Sequence, residues 1–446
     1  MDVLTTGVLA HAYQIILGRA PDEEGLRYYE QRLAAGTIDL PGICSELARS
    51  PEFLERLAPP PPPDPPAAPE VDVRDLLATL SVEELAASAD EYFRRMGNPE
   101  YYLAKPLTTV DEAPDHLICF GVLLAGLRPL PGMTVLDFGA GTCWTSRWLT
   151  QLGCAVIACD VSETALALGR DLYERLPVVG HRPAPRFLPF DGRRLDLPDS
   201  SVDRIFCFDS FHHVPNQAEV LSELARVLRD GGVAAFSEPG PHHSVTPQSQ
   251  FEMKNYAVIE NDLVIDDVWA LAQAAGFTGL ELAVFSAEPH RVGLAAYDDF
   301  LAGGGRAADA YAAHVRAFAI GRRNFFLAKG DTPSSDSRDR RGLAGELAVH
   351  DGLIEARNTG LNRWLTDPEV GVGRVLVGAH LYDSATGRLV DRDFGRIALP
   401  PGGVSPGQSV STALTVDVPA GHRVDLDLVA EHVCWFELNG CEPVRL

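Results

Sequence analysis

The sequence predicts an α/β domain on a mostly parallel sheet, preceded by a small all-α domain and followed by an all-β sandwich. Three observations carry this reading. Between residues 134 and 237 short apolar strands alternate with helical patterns, and each strand ends at an acidic or glycine-bearing turn, as βαβ units do. Residues 1–58 show helical spacing alone, and residues 343–446 show period-two alternation broken by close turn signals. Two breaker-rich segments separate the three parts: PPPPPDPPAAP at 59–69 and DTPSSDSRDRR at 331–341.

Composition bounds the function. At 446 residues the chain exceeds one ordinary core, and 46% hydrophobic with 22% charged residues describe a folded globular protein. A formal net charge of −24 opposes a polyanionic partner, so neither nucleic acid nor an anionic membrane surface is expected. The eight cysteines show no C-x-x-C spacing, which suits free thiols in a reducing cytoplasm better than disulfides or structural zinc. No 18-residue apolar run predicts a membrane span, and no basic-then-apolar leader opens the sequence.

The central domain carries the chemistry. Thr134-Val-Leu-Asp137-Phe-Gly139-Ala140-Gly141 reads as a strand running into a glycine turn, with a helix beginning near Trp144 and Trp148 and Leu149 as its buried face. Glycines there let a backbone approach a ligand closely. A dinucleotide fingerprint requires a third glycine at position 144, and Trp144 stands there instead. Strands at 155–159, 186–190, 203–208 and 233–237 follow, with Asp160-Val161, Asp191-Gly192 and Asp209 at or just beyond their ends. A helix from Gln217 to Leu228 stops at Asp230-Gly231-Gly232. Further strands are expected at Leu280–Phe285 and at Asn324–Lys329, the latter antiparallel at the sheet edge.

In order and spacing, "VLDFGAGT…ACDVS…FDGRRLDLPDSSVDRIFCFDSFHHV…LARVLRDGG" resembles the class I methyltransferases dependent on S-adenosylmethionine (SAM), over about residues 90 to 330. The resemblance implies a Rossmann-like seven-stranded domain with SAM as its cofactor. It places Gly139, Ala140 and Gly141 under the methionine moiety, with Asp137 near its ammonium. Asp160, followed by Val161, would take the ribose hydroxyls. Asp191 and Gly192 would meet the adenine, and Asp209 would close the methionine side. Cys143 departs from the family, which often has glycine there.

His213 occupies the family's frequent histidine position and is the candidate base. Four histidines (212, 213, 242 and 243) near one edge raise the question of a metal. Adjacent histidines are expected to diverge, so no metal is expected. The aromatic and basic segment Tyr92–Lys105 is a candidate lid, and the insertion 244–267 a candidate acceptor wall.

The flanking parts resemble families of their own. "AYQIILGRAPDEEGLRYYEQRLAAG…ICSELARSPEFLERL" resembles bacterial helical domains related to phycobilisome linker modules, which implies a protein partner. "IEARNTGLNRWL…VLVGAHLYDSATGRLVDRDFGRIALPPGG…VDLDLVAEHVCWFELNG" resembles sandwich domains attached to glycosyltransferases and polysaccharide exporters, which implies a glycan partner. Trp364, His380, Tyr382 and Trp435 are the candidate sugar platform, with core roles expected for at least half. Sandwich strands are expected at 347–357, 374–382, 410–418 and 423–429. The expected organisation is a helical domain at 1–58, a polyproline linker at 59–70, the methyltransferase domain at 71–330, a flexible linker at 331–342 and a separable sandwich at 343–446. The expected activity is methyl transfer to a hydroxyl or amine of a sugar or glycan. A small secondary-metabolite acceptor and a non-catalytic glycan-binding scaffold are the alternatives.

Overall fold

A computed structural model describes residues 3–17, 19–53, 70–303, 305–331 and 335–446. The chain divides into two compact units, Met1–Pro69 and Glu70–Leu446. In the first, helices Val3–Leu17, Glu23–Ala34 and Leu40–Leu47 enclose Leu9, Tyr13, Tyr29, Ile43 and Leu47. Asp22 and Asp39 cap the second and third helices by accepting from Gly25 N (2.7 Å) and Gly42 N (2.9 Å). The proline-rich segment expected to be an extended spacer lies outside the described residues.

The second unit is built on a seven-stranded sheet in the order β3-β2-β1-β4-β5-β7-β6. Its strands are β1 (Thr134–Phe138), β2 (Ala155–Asp160), β3 (Arg186–Pro189), β4 (Val202–Phe208), β5 (Leu228–Pro239), β6 (Gly279–Leu282) and β7 (Arg322–Ala328). β1 through β5 run parallel, and β7 lies antiparallel between β5 and β6. The sequence reading placed β7 at the sheet edge; β6 is the edge instead, because β7 fills the gap beside β5. Strand alternation feeds two layers of core. Leu136, Phe138, Ile205 and Phe236 pack on helix Gln217–Val227, while Val135, Phe206, Phe208 and Ala235 pack on Phe120, Leu123 and Trp144. Each fully buried side chain of this kind contributes about 1.5–3 kcal/mol. Trp148, expected in the core, is exposed while Trp144 and Leu149 are buried.

The carboxyl-terminal sandwich has a five-stranded sheet of β11 (Leu389–Ala398), β10 (Val375–Asp383), β13 (His422–Ala430), β14 (Cys434–Trp435) and β15 (Val444–Arg445). Its second sheet holds β12 (Ser409–Ala413), β9 (Leu353–Asn358) and β8 (Gly345–His350). The strand expected over 347–357 is in fact a hairpin. Asp351 and Gly352 both take positive φ (+49° and +77°), the turn geometry that an Asp-Gly pair favours.

Segment 335–341, expected to be a flexible linker, is a buried strap. Asp336, Ser337, Arg338 and Asp339 are 3%, 0%, 9% and 7% exposed. Arg338 Nη2 bridges Asp203 Oδ1 and Asp336 Oδ2, both at 2.7 Å, and its Nη1 donates to Gly132 O at 3.0 Å. Arg229 pairs with Asp203 and Asp336, and Arg128 with Asp339. Opposite charges that read as solvent-seeking in sequence are here paired with one another and removed from water. The strap therefore fastens the sandwich to the amino-terminal ends of β1, β4 and β5.

Candidate active site

At the carboxyl ends of the same strands opens a cavity of about 890 Å³, within the range of small-molecule sites. Its floor is the turn after β1. Gly139 takes φ +66°, and a Cβ there would fall 2.2 Å from Ser210 Oγ, so only glycine fits. At Gly141 (φ +51°) a Cβ would meet nothing closer than Phe93 at 3.9 Å, which leaves the backbone open to a ligand. Cys143 keeps the turn's left-handed form at φ +64° and buries its thiol against Gly169 instead of facing the cavity. The departure from glycine is thus accommodated below the floor.

Gly139, Ala140, Gly141, Asp160, Val161, Gly192, Asp209 and His213 all line this cavity. Asp160 Oδ2 accepts from Gly141 N and Oδ1 from Ser162 N, each at 2.8 Å. Each oxygen retains a lone pair for a ligand hydroxyl. Burial pushes the Asp160 carboxyl up, against those two backbone bonds.

Two expected residues are not on the lining. Asp137 is 1% exposed and accepts from Thr145 Oγ1 at 2.7 Å and from Ser146 Oγ. Burial raises its pKa to about 6. It ties β1 to helix Trp144–Gln151 from beneath. Asp191 is exposed, and its Oδ1 accepts from Arg193 N and Arg194 N at 2.8 Å, closing the turn that presents Gly192. Both carboxylates shape the backbone that faces the ligand.

The roof comes from helix Val82–Arg95, whose Leu85, Ala89, Tyr92 and Phe93 face the cavity. Asp90 Oδ1 accepts from Ser162 Oγ (2.7 Å) and Thr164 N (2.9 Å), pinning this helix beside Asp160. Tyr92 and Tyr102 share a hydroxyl contact of 2.5 Å.

One wall is cationic. Arg322, at the start of β7, reaches Asp209 Oδ1 at 2.8 Å and donates from Nε to Ser237 Oγ at 3.0 Å; Lys105 lies on the same lining. Burial works against ionisation of Asp209, and Arg322 together with His212, Lys105 and His116 overcomes it and holds the pKa low. Sequence reasoning missed Arg322. The available signal was that an antiparallel strand begins at the edge where its parallel neighbours end.

Another part of the lining holds imidazoles and carboxylates, with Glu238 buried behind them. Glu238 accepts from the backbone N–H groups of Ser210, Phe211 and His212 at 3.0–3.3 Å, and from His212 Nδ1 at 2.7 Å. His213 Nδ1 donates to Ile259 O at 2.7 Å, so in the neutral ring Nε2 carries the lone pair. Glu260, 3% exposed, lies 2.6 Å from His243 Nε2, 3.4 Å from His213 Nδ1 and 3.7 Å from His212 Nε2. Burial is the largest single influence and lowers the His213 pKa, but Glu260, the Ile259 carbonyl, Glu252 and Glu238 together outweigh it and raise the value. His212 and His213, expected to diverge, have ring centroids 3.9 Å apart. Loop residues 211–213 form a tight 3-10 turn that brings the two rings together at an interplanar angle of 44°.

Residues 136–236 match a family model described as a methyltransferase domain. The central domain is a methyltransferase domain, and its cofactor is SAM. The residues present fit that cofactor: a glycine floor a Cβ would obstruct, and a carboxylate able to take two hydroxyls. Residues 6–57 match a domain of unknown function, DUF4214. Methyltransferase GfsG of Streptomyces halstedii is 30% identical over 173 residues, 38% of this chain and 61% of that protein. An O-methyltransferase of Pyrenophora dematioidea is 31% identical over 28% of this chain and 46% of its own. Demethylmenaquinone methyltransferase of Corynebacterium glutamicum strain R is 35% identical over 24% and 44%. The chain thus spans about half the length of these relatives. Among solved structures, Haemonchus contortus phosphoethanolamine N-methyltransferase 2 is 15% identical with a TM-score of 0.40, over 57% of this chain and 61% of that one.

Proposed function

We propose that the protein is an enzyme that moves a methyl group from SAM to a hydroxyl or amine of a sugar or glycan. The observation that carries this reading is one cavity lined by both groups the reaction needs. Beneath the roof helix the same lining brings the glycine turn and Asp160 together with His213, Glu260 and Glu252. Carboxylates and imidazoles accept hydrogen bonds from a polyhydroxylated acceptor better than an apolar wall would.

SAM when bound supplies an activated methyl on a sulfonium. The chain's own tasks are then to align the acceptor, exclude water and take a proton. Arg322 and Lys105 would hold the methionine carboxylate, Asp160 the ribose, and the Gly192 turn the adenine. His213 Nε2 would receive the acceptor's proton, with Glu260 stabilising the imidazolium that results.

A small secondary metabolite is the second reading. Two observations favour it over a long glycan: the similarity to a demethylmenaquinone methyltransferase, and the sandwich's attachment at the strand ends remote from the cavity. Trp364, a proposed sugar-stacking residue, is 0% exposed and belongs to the sandwich core, which withdraws it from that role. The helical amino-terminal unit would serve a protein partner, and we place the enzyme in the cytoplasm. No described helix is long and apolar enough to cross a membrane.

The test is transfer of labelled methyl from SAM to a panel of simple sugars, oligosaccharides and hydroxylated aromatics. Labelled sugar supports the first reading and labelled aromatic the second. SAM binding without transfer to any of them would favour a scaffold.

A further inference from the structure

The five-stranded face of the sandwich turned away from its core holds a group of polar residues that the transfer chemistry does not use. Along β10, Val377, Ala379 and Leu381 point into the core. Gly378, His380 and Tyr382 therefore point to the other face. On β13, Asp427 stands opposite Gly378. Trp435 lies flat across this glycine: a Cβ there would fall 2.3 Å from the indole ring. The indole covers His380, with ring centroids 4.1 Å apart, and Arg396 lies 4.6 Å over its own ring.

Beneath that cover the hydrogen bonding does not close. His380 is 1% exposed, and its Nδ1 lies 2.7 Å from the carbonyl of Arg392. A carbonyl only accepts, so Nδ1 carries the hydrogen and Nε2 the lone pair. Nε2 is buried and has no hydrogen-bond partner. Its neighbours are carboxylates. Asp427 is 2% exposed and takes a hydrogen bond from Glu437 N at 3.0 Å, and the Glu437 side chain is held by the Arg392 guanidinium. One ligand atom from each of His380, Asp427 and Glu437 lies within 4.8 Å of the others. The buried Nε2 lone pair and the buried Asp427 carboxylate face each other with no positive charge between them, since the Arg392 guanidinium lies out at the part-exposed Glu437.

We propose that His380, Asp427 and Glu437 bind a divalent transition metal ion. One imidazole and two carboxylates suit Zn²⁺, Mn²⁺ or Fe²⁺, and the imidazole argues against Mg²⁺ or Ca²⁺. Arg392 provides the outer support such sites use, fixing the histidine tautomer through its carbonyl and orienting Glu437 through its guanidinium. The ion joins β10, β13 and the 3-10 turn Phe436–Asn439, with positions left open toward Glu437, the most exposed of the three.

The experiment uses the full chain, stripped with a chelator and desalted, then titrated with Co²⁺ while visible absorption is followed; Zn²⁺ is then added as competitor. One equivalent of Co²⁺ should bind and be displaced by Zn²⁺. His380→Gln and Asp427→Asn should each weaken binding by more than about tenfold. Glu260→Gln, in the catalytic cavity, should leave it unchanged. Near-ultraviolet circular dichroism and the melting temperature of every variant report whether it is folded, and Glu437→Gln, at the rim, substitutes for either core variant that fails that check. Absence of Co²⁺ binding in wild type overturns the proposal, since a proton shared between His380 and Asp427 would then satisfy the site. Binding lost in Glu260→Gln but kept in Asp427→Asn overturns it too, by moving the ion to the cavity. SAM titration of the same samples tests the methyltransferase reading separately.

Discussion

Asp137 and Asp160 end neighbouring strands and do different work. Asp160 faces the cavity with lone pairs to spare, whereas Asp137 is spent on Thr145 and Ser146. Asp160→Ala should weaken SAM and its demethylated product by about 1.5–3 kcal/mol, the loss of charge-assisted hydrogen bonds. Calorimetric titration checks this, and Asp137→Asn should cost less affinity than Asp160→Ala in the same assay. His213 sets a pH dependence. Its pKa lies above the ordinary 6.5, since Glu260, the strongest raising influence, acts with the Ile259 carbonyl, Glu252 and Glu238 to outweigh burial. A base must be unprotonated to act, so the rate should climb with pH and level off only above that raised value. Glu260→Gln removes the charge that raises it, and the rising limb should move to lower pH. His213→Ala should lower kcat by about 10²–10⁴-fold. Equal rates in wild type and His213→Ala would leave the histidine as a wall of the pocket.

At the scale of elements, the strap 335–341 is the segment whose role composition conceals. Arg338→Ala would leave Asp203 and Asp336, 7% and 3% exposed, without their shared guanidinium. Losing one partner of a buried ion pair costs about 3–5 kcal/mol, and Arg229 offsets part of that by pairing with both carboxylates. Urea denaturation should show a lower midpoint, with SAM affinity of the folded protein unchanged. The glycine turn and the aspartates at the strand ends were legible in sequence, because apolar strands alternating with helices leave few places for such residues except the carboxyl edge. Which carboxylate faces the ligand was not. Asp137 and Asp191 follow the motif, yet their hydrogen bonds run to Thr145, Ser146 and the Arg193 and Arg194 amides. Arg322 joins the site only through the antiparallel return of β7; Glu260 lies in the insertion 244–267 read as an acceptor wall, but nothing local pairs it with His213. No local pattern announces such meetings. The hairpin at Asp351-Gly352 did have a local signal, obscured by the even alternation on both sides of it.

At the scale of the whole second unit, the sheet is used at both ends. Its carboxyl edge forms the cavity, and its amino edge takes the strap that holds the sandwich. A chain ending at Gly330 would lack Arg338 and Asp336, leaving Asp203 with Arg229 and the Thr134 N–H and uncovering Gly132, whose neighbour is Val372. Such a truncated protein should melt at a lower temperature than the full chain, in contrast to the independent folding that a flexible linker implies. An unchanged melting temperature would show that the sandwich is merely tethered.

The central claim is that the cavity above Gly139 and Asp160 is built for SAM and not for a dinucleotide. Titration calorimetry of the full chain against SAM, with NADH as comparison, tests it most directly. The account predicts one equivalent of SAM bound, weakened in Asp160→Ala, and no heat from NADH. Binding of NADH with none of SAM would contradict it.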